Sequence, residues 1–271
     1  MRLLLLLALL INGATVYSQN IFKAQILDSL TKQPVEFVNV GLIGKGIGTV
    51  SNENGEFEFV IPDSLLQEKI RVSIIGYANK TFSANELKSR NKIFLRQSAT
   101  NLSEVTIAAK KTKFQMLGHV TQTKAVSAGF SQNNLGAEMA VKLKIKHPQT
   151  QIRRFICNIN KNTLNKLPIF RINIYKEDEN GYPGEILLKQ NIIAQPKEMT
   201  GLIEIDLSSY NIFVDQNVFI SMEWIKDLGD AKGLYFSAKL LGGATYYRIA
   251  SQDKWRKESP VGIGLYAEVA Y

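Results

Sequence analysis

Apolar and polar positions alternate with a period of two along most of residues 19–271, and helical spacing is nearly absent. Val141-Lys142-Leu143-Lys144-Ile145-Lys146 is the clearest case. A strand sends Val141, Leu143 and Ile145 to a core and the three lysines to water, whereas a helix would scatter those lysines around its girth. The same period runs through Phe170–Ile174, Ile203–Leu207, Val218–Trp224 and Leu265–Tyr271, and each run predicts a half-buried strand. Glycine and asparagine turns separate the runs. The one helical candidate, Asp63–Lys69 behind Pro62, is short enough to be only a turn. The pattern predicts an all-β protein.

The small and basic stretch 108–113 divides the chain into modules at 19–107 and 114–271. About seven short strands in the first predict a small β-sandwich, and the longer, more aromatic strands of the second predict a jelly-roll-like sandwich of two sheets. Asn52-Glu53-Asn54-Gly55, between Ile47–Ser51 and Glu56–Ile61, reads as a tight hairpin that sends Phe57 and Phe59 together into the core. Gly41, Gly44, Gly46 and Gly48 punctuate the hairpin before it. They do not read as a phosphate loop, because no helix N-terminus follows to receive an anion. Ahead of both modules, Met1–Ser18 has a positive start, a leucine run from Leu3 to Ile11, and small residues before the Ser18–Gln19 bond. That is the pattern of a secretory signal peptide cut before Gln19. The run is about half of what a membrane span needs, and no later run predicts a transmembrane helix.

Phe22–Asp28, Thr31-Lys32-Gln33-Pro34-Val35, Val38-Asn39-Val40, Gly48-Thr49-Val50-Ser51, Asn54-Gly55-Glu56-Phe57 and Ile75-Gly76-Tyr77 together resemble the carboxypeptidase-regulatory-like domain. Asn101–Ile107 is similar to the tail of that domain where it precedes outer-membrane TonB-dependent receptors of the Bacteroidota. The resemblance implies a transthyretin-like sandwich without catalytic residues, serving as an extracytoplasmic accessory or interaction module. The receptor itself does not follow: no plug succeeds Ile107, and the remaining residues are too few for its barrel. The second module is loosely similar to sandwich modules of secreted Bacteroidota proteins, which implies architecture only.

Composition narrows the chemistry. One cysteine excludes a disulfide framework within the chain, and two histidines leave little for metal binding. Neither His119 nor His147 begins a His-x-x-Glu pair, His-Glu-x-x-His and Gly-x-Ser-x-Gly are absent, and Cys157 lies in the apolar run Phe155–Ile159 with no histidine near in sequence. No catalytic residue, cofactor or metal site is expected, and Cys157 reads as a buried inert thiol. Lys and Arg number 33 against 24 Asp and Glu, a net charge of +9 that falls by one when Arg2 leaves with the leader. An exported basic protein meets acidic partners more readily than nucleic acid, for which no recognition motif appears. Lys142, Lys144, Lys146, Arg153 and Arg154 form a basic stripe that reads as the solvated face of a strand, and Glu177–Asn180 reads as a solvated hairpin tip, not a calcium loop.

Aromatics carry the one candidate ligand site. Trp224, Tyr235, Tyr246, Tyr247 and Trp255, with Arg248 and Arg256 near in sequence, offer a surface for sugar rings or a peptide. Alternation sends Tyr246 and Tyr247 to opposite faces, so the platform candidates are Trp224, Tyr246, Arg248 and Trp255. The resulting expectation is an exported, non-enzymatic binding or assembly module of the cell envelope, in the periplasm, at the outer membrane or outside. Its expected partner is an envelope protein or surface glycan. The second reading is an accessory protein that binds glycan or peptide through the aromatic face.

Overall fold

The computed structural model describes residues 19–98, 113–163, 166–229 and 233–271. The leader Met1–Ser18, the tail 101–107 and linker positions 108–112 lie outside the described residues.

The first module has the expected seven strands: β1 (Gln19–Asp28), β2 (Asn39–Leu42), β3 (Gly48–Val50), β4 (Glu56–Pro62), β5 (Lys69–Ser73), β6 (Lys80–Ser83) and β7 (Lys92–Leu95). They form two sheets, ordered β4–β1–β7 and β3–β2–β5–β6, with β7 parallel to β1. Period-two patterning decides the inner faces. In β4, Phe57, Phe59 and Ile61 turn inward while Glu56, Glu58 and Val60 turn out. They meet Phe22, Ile26, Val40, Leu42, Ile70 and Val72 in one apolar core.

One local expectation needs correction. Asn52–Gly55 is not a hairpin: it carries the chain from β3 in one sheet to β4 in the other. The Asn52 Oδ1 accepts from the backbone N–H groups of Asn54 and Glu56, both at 2.9 Å. Gly55 has φ +71°, and a Cβ there would lie 2.4 Å from the Ile26 carbonyl oxygen, so glycine is required. The Asp63 candidate is a single 3₁₀ turn, Asp63–Leu65. A helix does form elsewhere, at α1 (Ala84–Lys88), which periodicity did not predict. Its signal was the Ser83-x-x-Glu86 capping box: Ser83 Oγ accepts from Glu86 N at 3.2 Å, and Glu86 Oε2 accepts from Ser83 N at 2.6 Å.

The second module contains β8 (Phe114–Gly118), β9 (Ser127–Phe130), β10 (Glu138–Leu143), β11 (Thr150–Asn162), β12 (Phe170–Glu177), β13 (Pro183–Ile186), β14 (Ile192–Ala194) and β15 (Gly201–Asp206). It continues with β16 (Ile212–Val214), β17 (Val218–Trp224), β18 (Leu234–Leu240), β19 (Thr245–Arg248), β20 (Arg256–Glu258), β21 (Val261–Ile263) and β22 (Leu265–Ala270). One sheet of seven strands runs β13–β12–β17–β10–β19–β20, with β14 also on β12. The other, of eight strands, runs β21–β18–β11–β22–β8, with β15 and β16 on β11 and β9 on β18. Val141, Leu143, Ile172, Ile220 and Met222 of the first sheet pack against Phe155, Ile159, Phe236, Leu265 and Val269 of the second.

Strands β12 and β17 are not half-buried. Val218–Trp224 is buried at every position, and Phe170–Tyr175 likewise. Their outer, more polar face is covered as well, by aromatics of β19 and the 249–255 loop and by the first module. Pro183-Gly184 opens β13, after Asp178 Oδ1 has accepted from the N–H groups of Asn180 and Tyr182.

The modules dock through a glycine saddle. Gly41 and Gly48 face each other across β2 and β3, and a Cβ on either would lie 2.2 or 2.5 Å from the Ser251 carbonyl oxygen. Only bare backbone admits the 249–253 loop so closely. Around it, Gly44 N–H donates to the Gln252 carbonyl at 2.9 Å, Ser251 Oγ to Asn39 Oδ1 at 2.9 Å, and Gln252 Nε2 to Ser73 Oγ at 2.8 Å. Phe37 and Val50 pack on Ile225, and Lys226 pairs with Glu53 at 2.5 Å.

Candidate functional site

The outer face of the seven-stranded sheet carries one rung of charge. Register places Arg171 (β12) beside Glu223 (β17), Glu223 beside Glu138 (β10), and Glu138 beside Arg248 (β19). The order is positive, negative, negative, positive across four adjacent strands. Two residues along, on the same face, lie Asn173, Ser221, Ala140 and Tyr246; the next rung holds Tyr175 and Phe219.

Hydrogen bonds tie these rungs together. Glu138 accepts from Asn173 Nδ2 at 2.9 Å, from Tyr175 OH at 2.9 Å and from Ser221 Oγ, and it pairs with Arg248 at 2.5 Å. Glu223 accepts from Asn173 Nδ2 at 3.1 Å and pairs with Arg171 at 3.4 Å. Arg171 also donates to the Phe37 carbonyl, joining the network to the first module. Both carboxylates are fully enclosed. Burial pushes the Glu223 carboxyl up, an effect that Arg171 and Arg248 oppose and Glu138 reinforces. Burial also raises the Tyr175 phenol, with Glu138 adding to it. Burial works against the Arg248 charge, but Glu138, Tyr175 and Glu223 outweigh it and hold the guanidinium above its ordinary value.

Above this floor a cleft of about 610 Å³ opens between the modules. Arg171, Asn173, Tyr175 and Arg248 line it from the sheet, and Asn39, Arg71, Ser73, Tyr77 and Asn79 from the first module. The enclosed carboxylates sit behind the arginines, so the polar groups presented to the cleft are guanidinium donors, amides, hydroxyls and, at the rim, the Glu185 carboxylate, which pairs with Lys176. Such a surface can bind and orient; among the described residues that line it there is no cysteine or histidine.

Three of the four platform candidates are brought together. Tyr246 packs on Phe219 at 4.7 Å, Trp255 meets Tyr175 edge-on at 5.6 Å, and the Arg248 guanidinium lies 5.2 Å from the Trp255 ring. Trp224 does not join them. It is 1% exposed on the inner face, edge-to-face with Phe130 at 5.3 Å, because its parity on β17 matches Met222 and not Glu223. Tyr246 is itself buried, so of the four only Arg248 lines the cleft. Tyr247 lies on the opposite face beside Met139, as alternation requires.

The other candidates stay apart. Cys157 is fully buried on β11, and burial pushes its thiol up. His119 is lowered by burial and has Nδ1 3.2 Å from the Ile263 carbonyl, while His147 stacks on Tyr271 at 4.1 Å. Among the described residues, no group of three or more His, Cys, Asp or Glu side chains could hold a metal. The basic stripe is interrupted: Lys142 pairs with Glu177, and Arg154 bridges Glu204 at 2.9 Å and Glu268 at 2.5 Å. Sequence reasoning missed Glu138, Arg171, Asn173 and Glu223. The available signal was their period-two placement among Phe170, Ile172, Met222 and Trp224, but a solvated face gives the same pattern.

Comparison with known proteins places the first module. Residues 22–107 match the CarboxypepD_reg-like domain. The saddle glycines, Arg71 and Tyr77 therefore all belong to the CarboxypepD_reg-like domain, while the charged rung lies beyond it. No curated protein matches the chain. Among solved structures, the cysteine protease and lectin-like domains of Cwp84, a surface layer associated protein of Clostridium difficile, align at 9% identity and TM-score 0.43 over 96% of this chain. This chain spans 64% of that one. A two-domain protein of unknown function from Bacteroides fragilis aligns at 12% identity and TM-score 0.27, over 82% of this chain and 85% of the other. Both likenesses are distant. No helix among the described residues is long and apolar enough to cross a membrane.

Proposed function

We propose that this is an exported, non-enzymatic binding protein of a Bacteroidota cell envelope, whose ligand site is the polar cleft between its two sandwiches. The observation that carries the reading is the cleft itself, which has the volume of a small-molecule site and a floor of fixed, buried charge. Export rests on the leader pattern of Met1–Ser18, and the envelope on the likeness of residues 101–107 to the tail that precedes TonB-dependent receptors. A binding role without chemistry is supported by what faces the cleft: donors are present, both floor carboxylates are enclosed and held by arginine, and the rim carboxylate of Glu185 is paired with Lys176. Of the two expected modes, ligand capture is favoured over pure assembly, because a cleft built from both modules needs no further subunit to complete it. The partner is accordingly an envelope component, glycan or peptide, small enough to enter.

Two measurements test this. Cell fractionation with N-terminal sequencing should find the chain in the envelope or periplasmic fraction beginning at Gln19; an uncut chain in the cytosol overturns export. Native mass spectrometry after incubation with the soluble envelope extract should show a bound species on the wild type that Arg71→Glu loses. Equal retention by both overturns the cleft as the site.

A further inference from the structure

We infer that the cleft selects a hydroxylated monoanion, the carboxylate of an acidic sugar. This rests on the cleft being the binding site. The sign of the ligand follows from counting charge around the cleft. Arg171 and Arg248 balance Glu138 and Glu223, and Glu185 at the rim is paired with Lys176 at 2.7 Å. Arg71 is left, exposed on β5, lining the cleft and forming no ion pair among the described residues. One uncompensated guanidinium suits one carboxylate, which its planar fork can hold by two parallel hydrogen bonds. A dianion would leave a charge unmatched in a partly enclosed space.

The hydroxyl requirement comes from the uncharged lining. Asn173 is 1% exposed, and its Oδ1 and the Nε of Arg171 are enclosed within the floor, so the polar groups a ligand meets are those of the walls. Asn79 is exposed on the wall opposite the sheet, with an amide oxygen that accepts a hydrogen bond. A carboxylate alone satisfies donors; a simple anion brings nothing for that oxygen. A ligand with both a carboxylate and hydroxyl groups serves Arg71 and Asn79 at once, and a volume of about 610 Å³ accommodates one or two sugar rings.

Isothermal calorimetry on the full mature chain tests the assignment with D-galacturonic acid, D-galactose and sodium acetate, a carboxylate without hydroxyls. The uronate should bind at least tenfold more tightly than galactose and than acetate. Arg71→Glu should weaken the uronate at least tenfold with an unchanged melting temperature, since Arg71 is exposed and unpaired; Asn79→Asp gives a second surface variant expected to weaken it. Galactose binding as well as the uronate overturns the anion requirement, and acetate binding as well overturns the hydroxyl requirement. If the uronate does not bind while the species captured from envelope extract still needs Arg71, the ligand class fails and the cleft survives. If Arg71→Glu changes neither, both fail.

Discussion

Met222 and Trp224 point from β17 into the apolar core, while Ser221 and Glu223, one residue removed, point into the charged layer, and all four are buried. The two faces differ in what burial does for stability. On the inner face, removing apolar area from water is itself the driving force, and neighbours need only fit. On the outer face, desolvating Glu138, Glu223, Arg171 and Arg248 is costly, and the charges persist only because each meets a specific partner. An inner face of this kind stabilises; an outer face of this kind specifies, and it holds donors in position at the cleft.

The sharpest test uses the adjacent pair. Trp224→Ala and Glu223→Ala should each cost about 3–5 kcal/mol in chemical denaturation, the first through a cavity and the second by stranding Arg171. Their rescue should differ. Trp224→Phe regains most of the loss by shape alone, whereas Glu223→Leu is regained only when Arg171→Met removes the opposite charge too. A loss under about 1 kcal/mol for Glu223→Ala would show that the rung does not hold the face together.

Next in size is the saddle that covers the polar face. Gly41→Ala sets a Cβ against the Ser251 backbone, where neither side can yield, and should cost about 1–3 kcal/mol. Calorimetry should resolve two transitions where the wild type has one, and small-angle scattering should show a larger radius. A single unchanged transition would mean that docking does not depend on the glycine pair.

Smaller again, and visible only in acid, is Asp28. Backbone N–H groups of Thr31 and Leu30 and the side chains of Gln97 and Tyr77 all donate to it, and together they hold its carboxyl well below the ordinary 3.8. A depressed folded value means that its contribution is complete above about pH 4 and is lost as the pH falls toward that value. Asp28→Asn should therefore narrow the gap between neutral and acid melting temperatures. An unaltered gap would remove Asp28 from the account. The smallest effect belongs to the exposed pair Lys23–Glu58, at 2.8 Å with both side chains more than half exposed: Lys23→Ala should shift stability by about 0–1 kcal/mol, falling toward zero in salt. A loss comparable to that of Glu223→Ala would erase the distinction between buried and solvated charge.

Much of the architecture was legible in the residues. Phe57 and Phe59 in β4, Val218–Trp224 as one strand, and the seven strands of the first module all follow from period two, a local property. Helix α1 was legible too, through Ser83 and Glu86, but a five-residue element carries no periodicity to notice. Asn52–Gly55 shows the limit: turn chemistry says that the chain reverses, not which sheet receives it.

The site was less accessible. Trp224 and Arg248 were grouped by proximity in sequence, and strand parity separated them. Arg171 and Glu138 stand 52 and 35 positions from their bonded partners Glu223 and Asn173, and no short-range rule joins residues so far apart.

By itself the sequence determined the β character, the division into two modules and the inward-facing apolar set, because alternation acts over neighbouring residues. Tertiary structure alone decided that four charged side chains share one rung, that Gly41 and Gly48 admit a foreign loop, and that a polar face is roofed instead of solvated. The reason is physical: strand order, register and docking depend on closures between distant segments. A polar residue on an alternating strand looks the same in the sequence whether water or another module covers it.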